Sequence, residues 1–169
     1  MLKHELILGS ATGSGKTYTA RQRIEEDMTR TDTQTWVIDG GAGLLGLAND
    51  VTRFATVPDG AHHLLYELLG HAYVRAERLA GLDMYGDFNP GDRRHRYDLL
   101  VLTIDDAHNV LSPESNRALV RILQMARNVG IKVRLTVPEF YLLPQGAIRY
   151  VMNGASRTKC DWMAEPVTA

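Results

Sequence analysis

Apolar positions fall into short blocks separated by turn-forming residues. Leu6-Ile7-Leu8 is a brief apolar run, cut off by a Gly/Ser-rich stretch from Gly9 to Gly15. It predicts a buried strand and a tight turn. A helix is expected from Lys16 to about Met28, then a polar loop over 31–35. Trp36-Val37-Ile38 predicts a second short strand, ended by Asp39-Gly40-Gly41, with Gly43 extending an irregular loop. After Asp59, a good N-cap residue, apolar side chains recur at Ala61, Leu64, Leu65, Leu68, Leu69, Ala72, Tyr73, Ala76, Leu79 and Ala80. That spacing predicts a long amphipathic helix. Residues 83–96 are rich in Gly, Pro and charge and read as a loop. The run 99–104 is almost wholly apolar, as in a strand covered on both faces. Ser112-Pro113 opens a further helix with an N-cap and a first-position proline, and Gly130 closes it after about Asn128. From Ile131 to Val137 apolar residues alternate with Lys132, Arg134 and Thr136, which predicts a strand with one polar face. A last strand is expected over 147–152. Strands alternating with helices predict βαβ units, a parallel sheet and right-handed crossovers.

Composition narrows the class only slightly. The 169 residues suit one domain, and a chain of this length buries roughly 70% of its unfolded surface. Hydrophobic residues at 44% and charged residues at 23% argue against wholesale disorder. With 19 Lys+Arg against 20 Asp+Glu the net charge is −1. Bulk attraction to nucleic acid is thereby excluded, though a local basic patch is not. Cys160 is the single cysteine, so neither an internal disulfide nor an intrachain Cys-based zinc site can form. The apolar run at the N-terminus is too short for a signal peptide, and no stretch is long enough to span a membrane. A cytoplasmic, reducing setting is the expectation.

The chemistry concentrates in Gly9-Ser10-Ala11-Thr12-Gly13-Ser14-Gly15-Lys16-Thr17. Gly15-Lys16-Thr17 matches the end of the Walker A pattern G-x-x-x-x-G-K-[ST], with Ser10 at the first glycine position. Converging backbone N–H groups and a helix N-terminus suit a polyphosphate, and glycines allow the backbone to approach it closely. The candidate nucleotide-binding set is Thr12, Gly13, Ser14, Gly15, Lys16, Thr17 and Tyr18. Lys16 would bridge the terminal phosphates, and the Thr17 hydroxyl would ligate Mg²⁺. The strand over 99–104 ends in Asp105-Asp106, an apolar strand leading into carboxylates as in Walker B. Asp105 is the candidate Mg²⁺ acid, acting through water, and Asp106 the group that polarises the attacking water. Lys16, Asp105 and Asp106 form the candidate catalytic set, Thr17 and Asp105 the metal set, with ATP and Mg²⁺ as cofactors. The fold these motifs predict is a three-layer α/β P-loop NTPase of RecA/ASCE type, a mainly parallel central sheet flanked by helices. A strand and a long helix between the two motifs favour the additional-strand ATPases. No guanine-binding Asn-Lys-x-Asp is present.

At this point the segments resemble one family. Ser10 to Thr17 is similar to the Walker A of the FtsK/SpoIIIE DNA translocases, within the FtsK–HerA superfamily. Trp36 to Gly41 resembles that family's second strand, Ala72 to Ala80 its long helix, Asp98 to Asp106 its Walker B, and Leu123 to Ile131 its helix–Gly–strand segment. Ala147-Ile148-Arg149 and Ser156-Arg157 are weaker echoes of its last motor strand. The resemblance runs in order over most of residues 6–158, leaving 159–169 as a short tail of a single domain. It implies an ATPase that assembles as a homo-oligomeric ring, or as a mixed ring with a larger partner, and moves double-stranded DNA. Three departures stand out. Asp106 occupies the position of the family's catalytic Glu, one methylene shorter, and a misplacement of about 1 Å can cost roughly a hundredfold in rate. Val137-Pro138-Glu139-Phe140 replaces the family's Thr-Gln-Arg-Pro, whose Gln senses the γ-phosphate; Thr136 could supply a hydroxyl instead. The membrane segment, linker and winged-helix module of full-length translocases do not fit in this length.

Other polar residues carry less. Arg75 and Arg78 are expected on the polar side of the long helix, as a solvated face more readily than as a trans-acting arginine finger. Arg93-Arg94-His95-Arg96 is read as a solvated loop ahead of a DNA-facing patch. Lys132 and Arg134 point to a sheet edge, a partner surface or a nucleic-acid face. His62, His63, His71 and His108 lack metal-ligand spacing and read as structural or surface groups, with His108 near enough to Walker B to reach the nucleotide. Trp36 is expected in the core. Three functions follow from these readings: a compact FtsK-like ATPase acting on DNA in transfer, packaging or segregation; a catalytically weak nucleotide-binding regulator or ring subunit; and a small-molecule P-loop kinase, disfavoured by the absence of an Arg-rich lid.

Overall fold

A computed structural model describes residues 2–10, 14–56, 59–139, 142–143, 145–147 and 156–159. The elements run β1 (Glu5–Leu8), α1 (Lys16–Met28), β2 (Thr33–Asp39), β3 (Arg53–Thr56), α2 (Asp59–Ala80), β4 (Leu99–Asp105), α3 (Ala107–Val110), α4 (Pro113–Met125), β5 (Ile131–Val137) and β6 (Ser156–Lys159). The six strands make one sheet in the order β3-β2-β4-β5-β1-β6, with every pairing parallel. β5 therefore lies between the strand that leads into the glycine-rich segment, β1, and the strand that ends in Asp105, β4.

Alternation along the strands builds two different faces. Leu6, Trp36, Ile38, Leu100, Leu102, Ile104, Ile131, Val133 and Leu135 join one core with Leu65 and Leu68 of α2 and Leu119 and Ile122 of α4. The opposite face receives α1. There Ile7 meets Ala20, and Val37 meets Ile24, Leu44 and Leu47. β4 is buried at all seven positions, which is why its run is apolar almost to the end. α4 starts at Ser112, whose Oγ accepts the Ser115 N–H at 3.2 Å, with Pro113 in the first turn. Gly130 adopts φ 73°, and the Phe88 ring occupies the place a Cβ would take, so both backbone and packing require glycine.

The polar face of β5 is not an edge. Arg134 is 1% exposed beneath α1: its Nε donates to Glu5 Oε2 at 2.8 Å and its Nη1 to Thr103 Oγ1 at 3.0 Å, while Nη2 lies 3.0 Å from Asp27 Oδ2. Lys132 reaches the same Glu5 at 3.4 Å. The alternation was real, but it marks a buried ionic layer between β1, β5 and α1. A central strand tolerates it because each charge finds an opposite one.

Arg75 also departs from expectation. It is 4% exposed and caps three backbone carbonyls, those of Asp98 (2.9 Å), Val129 (3.3 Å) and Gly130 (3.3 Å). Its guanidinium sits 4.9 Å from the Tyr97 ring centroid. Neither a solvated face nor a trans finger describes it. Arg78, in contrast, is exposed on α2. The loop leading into β4 is ordered by a column of stacked rings, Phe88 on His95 (5.0 Å) and His95 on Tyr97 (5.6 Å). His95 is thereby buried, and Arg94 is paired with Asp92 at 2.7 Å, while Arg93 and Arg96 are exposed. Trp36 is in the core, and the His71 ring meets it edge-on.

Three boundaries differ from the sequence pattern. β2 begins at Thr33, inside the expected loop, because pairing with β4 from Leu99 onward supplies its ladder. β3 was not anticipated; it is a four-residue edge strand with only Ala55 buried, too short to show a period. The strand expected over 147–152 is not there as drawn: Ala147 is helical, 148–152 lie outside the described residues, and the last strand is β6, paired with β1.

Replacing Arg75 by Ala takes the side-chain donor from the Asp98, Val129 and Gly130 carbonyls, of which Gly130 keeps the Leu100 N–H at 3.0 Å. Hydrogen bonds to a charged group contribute about 1.5–3 kcal/mol each, so a net loss of about 3 kcal/mol is expected, a Tm drop of roughly 6–12 °C. A thermal melt checks this. Intact Tm with lost function would instead restore the finger reading.

Candidate functional site

The site forms where α1, β4 and β5 converge at the C-terminal ends of the strands. Gly15 takes a left-handed conformation (φ 85°, ψ 8°) as the residue before α1, and among the described residues no side chain caps the helix. The first-turn N–H groups are therefore free of the usual side-chain acceptor. Ser14 and Lys16 are buried, at 3% and 9% exposure. Among the described residues the Lys16 ammonium has one hydrogen-bond partner, Ser14 Oγ at 3.3 Å. A buried cation without a carboxylate is costly unless an anion joins it. Thr12 and Gly13, also expected in the nucleotide set, lie outside the described residues. Tyr18 is 58% exposed, its hydroxyl accepting from Gln22 Nε2 at 3.1 Å.

Asp105 is the hub. It is 0% exposed; Thr17 Oγ1 donates to its Oδ2 at 2.8 Å and Thr136 Oγ1 to its Oδ1 at 2.5 Å. Burial pushes its carboxyl above the ordinary range against the pull of those two hydroxyls, and the charges of Asp106 and Asp39 push the same way. Thr136 Oγ1 also accepts the Asp106 N–H at 2.8 Å, so one hydroxyl ties both acids to β5. Asp106 itself sits at φ 46°, ψ 53°, a left-handed conformation that aspartate tolerates better than most residues. His108 follows in α3, half-buried, with Nδ1 lacking a partner among the described residues.

The structure thus links Thr17, Asp105, Thr136 and Asp106 through hydrogen bonds, with Lys16 one residue from Thr17. It adds a segment whose role the sequence reading missed. Asp39 pairs in register with Asp105, and its carboxylate accepts the N–H groups of Gly41 (3.1 Å) and Leu44 (2.8 Å). Gly40 N–H donates to the Asp105 carbonyl at 3.0 Å. The signal was present as three glycines directly after a strand-ending acid. Pro138 and Glu139 lie just beyond β5, with Glu139 exposed.

The donor set fits a magnesium ion: a hydroxyl and a buried carboxylate in contact, two further acids nearby, and no lysine or arginine paired with Asp105 among the described residues. Because the Asp105 carboxyl is raised in the fold, its charged form weakens the nucleotide-free protein. The raised carboxyl contributes stability that is fully present below the unfolded value and is lost as pH rises through the folded one. Asp105→Asn should therefore raise Tm at neutral pH, the two hydroxyls turning to suit the amide. The gain should shrink as pH falls toward the ordinary Asp range. Melts across pH check the sign.

No protein-family profile and no curated protein matches the chain. Solved structures do. EccC (ATPases 2 and 3) of Thermomonospora curvata, in complex with a signal sequence peptide, matches with TM-score 0.74 at 15% identity, covering 92% of this chain and 30% of that one. EssC (ATPases 2 and 3) from Geobacillus thermodenitrificans matches with TM-score 0.74 at 13% identity, over 88% of this chain and 30% of that one. The pCW3 conjugation coupling protein TcpA, in its monomer form with ATPγS, matches with TM-score 0.69 at 17% identity, over 88% and 47%. The chain therefore spans under half the length of each of these structures. The expected three-layer architecture with a parallel sheet is borne out, and the chain shares its fold with these ATPase domains and with the coupling protein.

Proposed function

We propose that the chain is a single P-loop motor domain that binds and hydrolyses ATP with Mg²⁺ and couples hydrolysis to movement of double-stranded DNA. The observation that carries the ATPase part is the bond chain Thr17–Asp105–Thr136–Asp106 beside the buried Lys16 ammonium. In this reading Lys16 and the uncapped first turn of α1 receive the phosphates. Thr17 and Asp105 would hold the magnesium, which supplies positive charge against the phosphate oxygens when bound. Asp106 accepts the proton of the attacking water, and Thr136 keeps both acids in place. The DNA part is supported by the sequence resemblance to FtsK-type translocases and by likeness to a conjugation coupling protein. With net charge −1, contact with phosphates falls to local exposed cations such as Arg93 and Arg96, or to a partner chain. Assembly as a ring, alone or with a larger partner, requires a trans-acting cation, for which Arg78 remains exposed while Arg75 is buried. Among the described residues no helix is long and apolar enough to cross a membrane.

A second reading, a nucleotide-binding subunit with little turnover, is favoured by Asp106 being one methylene shorter than the family's Glu and by Pro138 near the sensor position.

Lys16→Ala should abolish nucleotide binding, as measured by fluorescent ATP titration; unchanged affinity sinks the site. Asp106→Asn should retain ATP binding and lose turnover by about a hundredfold or more, within the range of a lost general base. Steady-state ATPase activity with and without double-stranded DNA separates the readings. Stimulation by DNA supports the motor. Tight binding without turnover supports the weak subunit.

A further inference from the structure

Three glycines between β2 and the turn at Leu45–Leu47 touch the site in sequence. A Cβ on Gly40 would lie 2.6 Å from the Asp105 carbonyl oxygen and 2.8 Å from Val110 Cγ2. A Cβ on Gly43 would lie 2.5 Å from Thr17 Cγ2. On Gly41 it would overlap Asp106 Oδ2, with Asp105 Oδ2 the next carboxylate oxygen, 4.0 Å away. None of these three glycines has a positive φ; those that do are Gly15, Gly86, Gly91 and Gly130 among the described residues. Backbone conformation therefore does not demand glycine at 40, 41 or 43. Close approach does.

The segment is also held in place. Asp39, 1% exposed, grips the N–H groups of Gly41 and Leu44, and Leu44 and Leu47 are buried against Ile24 and Val37. Ala42, between Gly41 and Gly43, stands at φ 60°, a conformation unfavourable for alanine. Asp106, which a Cβ on Gly41 would meet, also has a positive φ, 46°. Ala42 and Asp106 are thus two non-glycine residues in the left-handed region, on the two segments that approach each other at Gly41.

We propose that residues 39–44 form the third wall of the hydrolysis site and that Gly41 is a positioning residue for Asp106. Its missing side chain leaves the volume that the Asp106 carboxylate occupies. This rests on the ATPase reading above, with Asp106 as the group facing the attacking water. A shorter acid than the usual Glu needs its backbone and its neighbours set closely, and here Thr136 holds the Asp106 N–H while Gly41 bounds the carboxylate. With a methyl at position 41 the carboxylate must retreat by about 1 Å, enough to cost roughly a hundredfold in rate. The phosphate loop and Lys16 are not displaced.

The test is Gly41→Ala in the full chain, alone and combined with Asp106→Ala. The expected result is kcat lower by about a hundredfold, a dissociation constant for fluorescent ATP within about twofold of the parent, and no further loss of kcat when Gly41→Ala is added to Asp106→Ala. A kcat within about twofold of the parent overturns the proposal, as does an equal loss in the Asp106→Ala background. A crystal structure of Gly41→Ala is the second measurement: a displaced Asp106 carboxylate supports the proposal, and an unmoved one overturns it. A parent protein that binds ATP without turnover defeats the ATPase reading alone, and the crystal structure then decides the role of Gly41.

Discussion

Everything at this site depends on the burial of one carboxylate. Asp105 is fully enclosed at the end of β4, where an ionised acid is stable only if its oxygens are engaged. Thr17 reaches it from α1 and Thr136 from β5, one hydroxyl on each oxygen. These two bonds fasten the first turn of the phosphate-loop helix to the strand that carries the acid and to the strand between. The strand order allows this, since β5 is the neighbour of β4 and so brings Thr136 to Asp105. The compensation is partial: burial keeps the carboxyl raised against the two hydroxyls, with Asp106 and Asp39 pushing the same way. Lys16, also buried, directly precedes Thr17, whose hydroxyl bonds this acid.

The same face of the sheet shows a second use of buried charge, farther from the strand ends. Glu5, Arg134, Asp27 and Lys132 form a closed ionic layer under α1, with Thr103 completing the Arg134 donors. Burying such a cluster adds little net stability, because desolvation opposes the Coulomb attraction. Its geometric effect is larger. The Arg134 guanidinium bonds β1, β4 and α1 at once, so α1 has one rotational setting on the sheet, and the direction of its N-terminus is set with it. On the opposite side of the sheet the packing is apolar and generic, α2 and α4 against alternating Leu, Ile and Val.

The legibility of these features tracks how local they are. The strand and helix on either side of the glycine-rich segment, the apolar strand leading to Asp105-Asp106 and the capped start of α4 were readable because spacing along the chain defines them. Arg75 was misassigned although its position carried a clue: it falls seven residues after Leu68 and four before Leu79, within the buried stripe of α2. Charge was allowed to outweigh periodicity. Arg134 was misread for the opposite reason. Its alternation was correctly seen, but a polar strand face was equated with solvent, when its partners Glu5 and Asp27 lie more than a hundred residues earlier in the chain. The glycines at 40, 41 and 43 announced an irregular loop; what they avoid, Asp106 and Thr17, was visible only in three dimensions.

Taken alone, the sequence determined the glycine-rich segment ending in Lys16-Thr17 ahead of α1, the identity of the acids after β4 and the alternation of strands and helices that makes a parallel sheet. Those properties depend on residues close together in the chain, whose backbone needs and side-chain types are local. The tertiary structure decided which charges are buried, that Thr136 joins Asp105 to Asp106, and that a glycine loop closes against them. The reason is physical: burial, charge pairing and close approach depend on distance in space, and the groups that satisfy Asp105, Arg134 and Arg75 come from segments that the chain brings together only by folding.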